Sequence, residues 1–108
     1  KKINLNNFQL TFRSKYRAAD IEPKKNSFVP GALFEISKSD EKKLDVYEDY
    51  PILYKKYYFT YYNKKVMTYT MTKKTPFIYP TERYLKVIKK GYKDCKLEIK
   101  FLKEALIN

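Results

Sequence analysis

The sequence predicts an α+β domain: mostly antiparallel strands, one helix inserted among them, and a helical C-terminus. Three observations carry that class. Two regions, 8–37 and 53–71, contain strand-like runs, and in the first of them Phe8, Leu10 and Phe12 alternate at period two. Between the two regions lies an acidic segment with helix-capping residues. After Thr81 the apolar residues fall three and four apart, the spacing of one helical face. A chain of 108 residues makes one domain, expected to cover 1–108, and can bury a core without staples.

Taken in order, "FQLTFR" at 8–13 is a half-buried strand. A short strand is expected at 18–21, then a loop over 22–30 marked by its Pro, Asn and Ser residues. "GALFEIS" at 31–37 reads as a second firm strand. Ser37 or Ser39 can cap a helix over 39–47, with Asp40 and Glu41 favourable to its N-terminal dipole. Leu44 and Tyr47 lie on one face of that helix, and Pro51 ends it by disfavouring helical geometry at Tyr50. "LYKKYYFTYY" (53–62) and "VMTYTM" (66–71) flank the turn "NKK" and form a hairpin. Pro76 and Pro80 mark a loop. Thr81 caps a helix whose Tyr84, Leu85, Ile88 and Tyr92 share a face. A last helix over 98–107 carries Ile99, Leu102 and Leu106 at helical spacing.

Composition narrows the chemistry. The chain has no His, which excludes His-dependent Ser and Cys triads, His-ligated zinc and His acid–base work. Catalysis falls to Glu, Asp, Lys, Tyr or Cys95. A single cysteine forms no internal disulfide, so a reducing, cytoplasmic compartment is expected. Cys95, beside Asp94 and without a partner base, reads as an inert or partly exposed thiol. No apolar run approaches the roughly 20 residues that span a bilayer, and no membrane partner is expected.

The formal charge is +12, and its distribution is uneven. Residues 1–37 carry +4, 38–50 carry −2, 51–75 carry +6 without a single acid, and 76–108 carry +4. A basic surface attracts nucleic acid, and "YKKYYFTYY" offers aromatic faces on which bases can stack. The same Lys, Asn, Ile, Tyr and Phe are also what an A+T-rich genome encodes, and exposed lysines are ordinarily solvated surface. Both readings stay open. The five carboxylates between Asp40 and Asp49 pose the sharper question, because a strongly basic chain gathers its acids there.

Several stretches together resemble the γ-glutamylcyclotransferase-like family in its AIG2-like branch. "IEPKKNSFVPGALFEIS" is similar to the family's "x-I-x-P", variable loop and "V-x-G-x-L-x-x-I". "DEKKLDVYEDYPILYKK" resembles "D-x-x-x-L-D-x-x-E-G" followed by a Tyr and a basic strand. "VMTYTM" resembles the strand ending in "Y-x-M", and "PTERYLKVIKKGYKDCKLEIKFLKEAL" the C-terminal "P-S-x-x-Y-x-x-x-I-x-x-G-Y/A" helix and tail. The ordered set covers residues 5–106. It implies a small, mixed or antiparallel β-barrel with helices packed around it. It also implies that Glu48 holds the catalytic acid/base position and that Tyr84 and Tyr54 contact substrate. The Gly that usually follows the catalytic Glu is Asp49 here. The family's first strand and its "Y-x-x-Y-G-S-N-L" loop have no counterpart between Lys1 and Arg13, so the resemblance implies an N-terminally incomplete domain. Such a barrel would expose two strand edges, which favours oligomers.

The implied reaction needs no cofactor. The α-amino group of a γ-glutamyl compound attacks its own γ-amide carbonyl, forming 5-oxoproline and releasing an amine. Glu48 would take the ammonium proton and deliver it to the leaving amine. With Asp45, Glu48 and Asp49 at i, i+3 and i+4, neighbouring negative charge and partial burial are both expected to raise the Glu48 pKa. Asp45 and Asp49 otherwise read as surface or loop-capping groups, and Tyr84 as a core aromatic. The alternative is a catalytically silent relative that binds a small anionic ligand, a protein or nucleic acid.

Overall fold

The computed structural model describes residues 1–107, which form two compact units. The first comprises Lys1–Phe34 and Thr75–Asn108, the second Glu35–Lys74. No helix among the described residues is long and apolar enough to cross a membrane.

In the first unit, β1 (Lys2–Arg13) pairs antiparallel with β2 (Ala18–Ala32). Phe8, Leu10 and Phe12 share one face, opposite Pro23, Ile21 and Ala19, but the strand is not half-buried as expected, because Thr11 and Arg13 on the other face are buried too. Two helices follow in this unit, α2 (Glu82–Asp94) and α3 (Ile99–Ile107). Thr81 caps α2 by accepting a hydrogen bond from the Tyr84 N–H. Phe12, Leu85, Tyr92 and Leu102 form the buried core, with Leu10, Ala19, Tyr84, Ile88 and Leu106 packed against it. The predicted faces of both helices therefore point inward, except that Ile99 is exposed.

The predicted loop over 22–30 is instead the middle of β2. Pro23 pairs with Phe8 and Phe28 with Asn6, so four residues of β2 bulge out opposite Asn7 alone. Asn7 and Asn26 both take left-handed backbone (φ 63° and 65°), and the Asn26 N–H donates to Asn7 Oδ1. The excursion thus folds inside the ladder without ending it. The predicted strand over 31–37 survives only as Gly31 and Ala32. Leu33 N–H donates to the Lys1 carbonyl, and Phe34–Ser37 are not in a strand.

In the second unit, α1 (Lys38–Tyr47) precedes a hairpin of β3 (Tyr54–Tyr61) and β4 (Lys64–Met71). Ser37 caps α1 in a capping box: its hydroxyl accepts from Asp40 N–H, and the Asp40 carboxylate accepts from Ser37 N–H. The hairpin turns at Tyr62 and Asn63, one residue earlier than "NKK". Both turn residues have positive φ (47° and 64°), as a two-residue hairpin loop requires to match the strand twist.

The α+β class is therefore present, with two antiparallel two-stranded sheets and three helices among the described residues. The strand pairings of the described residues do not close a barrel.

Candidate functional site

The acidic segment resolves into separate jobs. Asp40 completes the capping box, and its two hydrogen bonds with Ser37 hold its carboxyl below the usual range. Glu41 and Asp45 are one helical turn apart and share Lys56 of β3, whose Nζ lies 2.6 Å from Glu41 Oε2 and 3.0 Å from Asp45 Oδ2. Tyr69 of β4, paired with Lys56 in the register, donates its hydroxyl to Asp45 Oδ1 at 2.5 Å. The Tyr69 bond, with Lys56, lowers the Asp45 pKa, and the two acids raise that of Lys56. Burial and the Asp45 bond raise the Tyr69 pKa, so its hydroxyl stays a donor.

Glu48 continues the face of Glu41 and Asp45, seven residues after the first and three after the second. It is the C-cap of α1, and its N–H donates to the Leu44 carbonyl. The chain then leaves the helix through a Schellman motif: Asp49 N–H donates to Val46 O and Tyr50 N–H to Asp45 O, with Asp49 left-handed at φ 53°. These bonds hold the backbone on both sides of Glu48. Its side chain is half-buried and has neither an ion pair nor a hydrogen bond among the described residues. Burial raises its pKa above the ordinary carboxylate value. The expected contribution from neighbouring charge is corrected here: burial is the cause, and Asp45 has its charge engaged by Lys56 and Tyr69.

The three sequence-predicted site residues fall in different surroundings. Tyr54 is buried at the start of β3 and meets the Tyr69 ring edge-on, centroids 6.4 Å apart. Tyr69 links it to Asp45, so Tyr54 borders that network in the second unit. Tyr84 belongs to the first unit, where its ring meets Phe12 edge-on and its hydroxyl accepts from the Ala19 N–H at 3.1 Å. That places Tyr84 at the core margin, the role expected of an aromatic on the inner face of α2. Cys95 is the C-cap of α2 and half-buried.

Lys56 and Tyr69 were not legible as site-forming residues, since one sits in a lysine pair and the other in an ordinary β-rich run. A second polar cluster was also missed. Arg13, Asp20 and Glu22 share the face of β1 and β2 opposite Phe12 and Leu10. Arg13 Nε lies 3.2 Å from Asp20 Oδ2, another guanidinium nitrogen meets Glu22, and Nη1 donates to the Thr75 carbonyl. Gln9 donates to Glu22 as well. Period-two alternation would have aligned these residues, but it assigns that face to solvent, whereas Arg13 and Asp20 are buried. A half-open cavity of about 260 Å³ in the first unit lies among Leu10, Phe28, Tyr92 and Phe101, with Lys24 and Glu104 also lining it. None of Glu48, Tyr54 and Tyr84 lines that cavity.

Neither the curated proteins nor the solved structures contain a match to this chain. Among protein families, residues 1–92 match gamma-glutamyl cyclotransferase, AIG2-like. That span takes in β1, β2, the α1 segment with Glu48, the hairpin and most of α2. The chain belongs to the AIG2-like gamma-glutamyl cyclotransferase family.

Proposed function

We propose that the protein cyclises a γ-glutamyl amine or peptide to 5-oxoproline, with Glu48 as the general acid/base. One observation carries this reading beyond family membership. Of the acids in the α1 segment, Asp40 caps, and Glu41 and Asp45 bind Lys56. Asp49 supplies a left-handed turn residue. Glu48 alone combines partial burial, a raised pKa and no protein partner. A carboxylate withdrawn from water and left unpaired costs stability, and groups perturbed in this way cluster at functional sites.

The reaction balances without a cofactor. Ionised Glu48 accepts a proton from the substrate's α-ammonium. The freed amine forms a C–N bond with the γ-carbonyl carbon, and the tetrahedral species breaks the original amide C–N bond. Glu48 then returns that proton to the departing nitrogen, and the second proton, shed by the ring nitrogen as it becomes the lactam N–H, passes through Glu48 to the released amine, which leaves as an ammonium ion. Because the attack is intramolecular, the protein mainly holds the reactive conformer. A positioned acid/base group contributes about 10²–10⁴-fold. Tyr54 is assigned to substrate contact by its place beside the same network.

The test is 5-oxoproline release by the full chain from a panel of γ-glutamyl amines. Glu48→Gln is expected to lower kcat about 10²-fold or more with the fold unchanged by circular dichroism. Full activity and an unaltered pH–rate profile in that variant would remove the assignment. Saturable substrate binding with no 5-oxoproline released would replace the enzyme with a silent binding relative.

A further inference from the structure

We propose that the β3–β4 hairpin is a docking arm for single-stranded nucleic acid. This goes beyond the cyclotransferase reading and uses none of its residues. Charge complementarity is the first argument. Residues 51–75 hold six lysines and no acid. Lys56 is committed to Glu41 and Asp45, but Lys55, Lys64 and Lys65 are exposed and have no carboxylate partner among the described residues.

The second argument is the aromatic surface between those lysines. Tyr57 and Tyr58 occupy opposite faces of β3 and are 38% and 48% exposed, while Tyr62 at the turn is 77% exposed. Tyr57 lies 6.2 Å from the Phe59 ring at 27°, two near-parallel rings along one strand face. Lys65 sits over the Tyr58 ring with Nζ 4.4 Å from its centroid, joining a cation to a stacking plane on the other face. Bases stack on such rings whatever their identity, and each stack is typically worth several-fold in affinity. Strand β3 extends about 25 Å at about 3.3 Å per residue, enough to track several nucleotides.

Tyrosine and lysine interleaved in this way suit bases and phosphates better than a lipid surface. The hairpin tip, Tyr62-Asn63-Lys64-Lys65, offers no aliphatic wedge to insert into acyl chains. Duplex DNA hides the base faces that Tyr57 and Tyr58 would meet, which favours a single strand.

The experiment is fluorescence anisotropy with labelled oligo(dT) and oligo(U) of about twenty nucleotides, titrated across sodium chloride concentrations. Affinity should fall with salt, with a log–log slope near −2 for three neutralised phosphates at about 0.7 each. The double variant Lys64→Glu/Lys65→Glu should bind about tenfold or more weakly and lose about 1.4 from the slope. A control with the same charge change on α3, Lys100→Glu/Lys103→Glu, should stay within about threefold. Tyr57→Ala/Tyr58→Ala should lose about fivefold or more on oligo(dT) and little on an abasic strand of equal length. Equal losses in hairpin and α3 variants would overturn the proposal, because they would report only net charge. Tighter binding to phosphatidylserine vesicles or duplex DNA than to oligo(dT) would overturn it too. So would no binding at low salt. The lysine variants lie on exposed positions and keep the test decisive should the tyrosine pair fail to fold.

Discussion

Asp49 shows how a departure from a family pattern can preserve its physics. In the family motif that this segment resembles, a Gly follows the Glu aligned with Glu48, and here the backbone of Asp49 is left-handed with φ 53°. Gly adopts that region freely, and Asp tolerates it better than most other residues with a Cβ. Asp49→Gly should therefore be within about 1 kcal/mol of the parent, while Asp49→Val should lose about 1–3 kcal/mol, measured by urea unfolding. Glu48 makes the complementary case. Its pKa is raised in the folded state, so its stabilising contribution is complete below the unfolded value of about 4.3 and is lost as pH rises through the folded value. At neutral pH the ionised, half-buried carboxylate works against folding. Glu48→Gln should leave the melting temperature at pH 7 equal or higher, with activity lost. A large drop in melting temperature would mean that Glu48 is structural.

Helix α1 contacts its hairpin through charge rather than apolar burial. None of its residues is buried, and Val46 and Tyr47 are more than four-fifths exposed. Glu41, Asp45, Lys56 and Tyr69 make the junction instead. This arrangement is sensitive to acid. The Asp45 pKa is lowered, chiefly by the Tyr69 hydroxyl, so its contribution is present above the unfolded value of about 3.9 and is lost as pH falls through the folded value. Tyr69→Phe removes that donor. It should raise the Asp45 pKa in an NMR titration and move the acid transition of the α1–hairpin unit to higher pH. An unchanged Asp45 titration would show that Lys56 alone sets it.

For the whole chain, buried apolar packing is unevenly shared. The core cluster of Phe12, Leu85, Tyr92 and Leu102 lies in the first unit. Truncating its centre, Leu102→Ala, should cost about 2–5 kcal/mol, a large share of the 5–15 kcal/mol typical of domains. Amides of β1, α2 and α3 should exchange more slowly than those of α1 and the hairpin, where charge and a few buried residues do the holding. Slower exchange in β3 and β4 than in β1 would contradict this ranking of the two units.

Most of the local elements were legible from short stretches of sequence. Phe8, Leu10 and Phe12 announced an inward strand face, Ser37 and Thr81 announced helix starts, and the 53–71 pattern announced a hairpin. Ordered motifs also announced the family. These signals are short-range, because periodicity, caps and turns depend on residues a few positions apart. Tertiary structure decided what depends on a distant partner. Pairing with β1 carried β2 through a Pro- and Asn-rich stretch that reads as loop. Likewise, only the arrival of Lys56 and Tyr69 distinguishes Asp45, held by two partners, from Glu48, withdrawn from water with none. A carboxylate's chemistry is set by what stands beside it, and that neighbour lies on another strand.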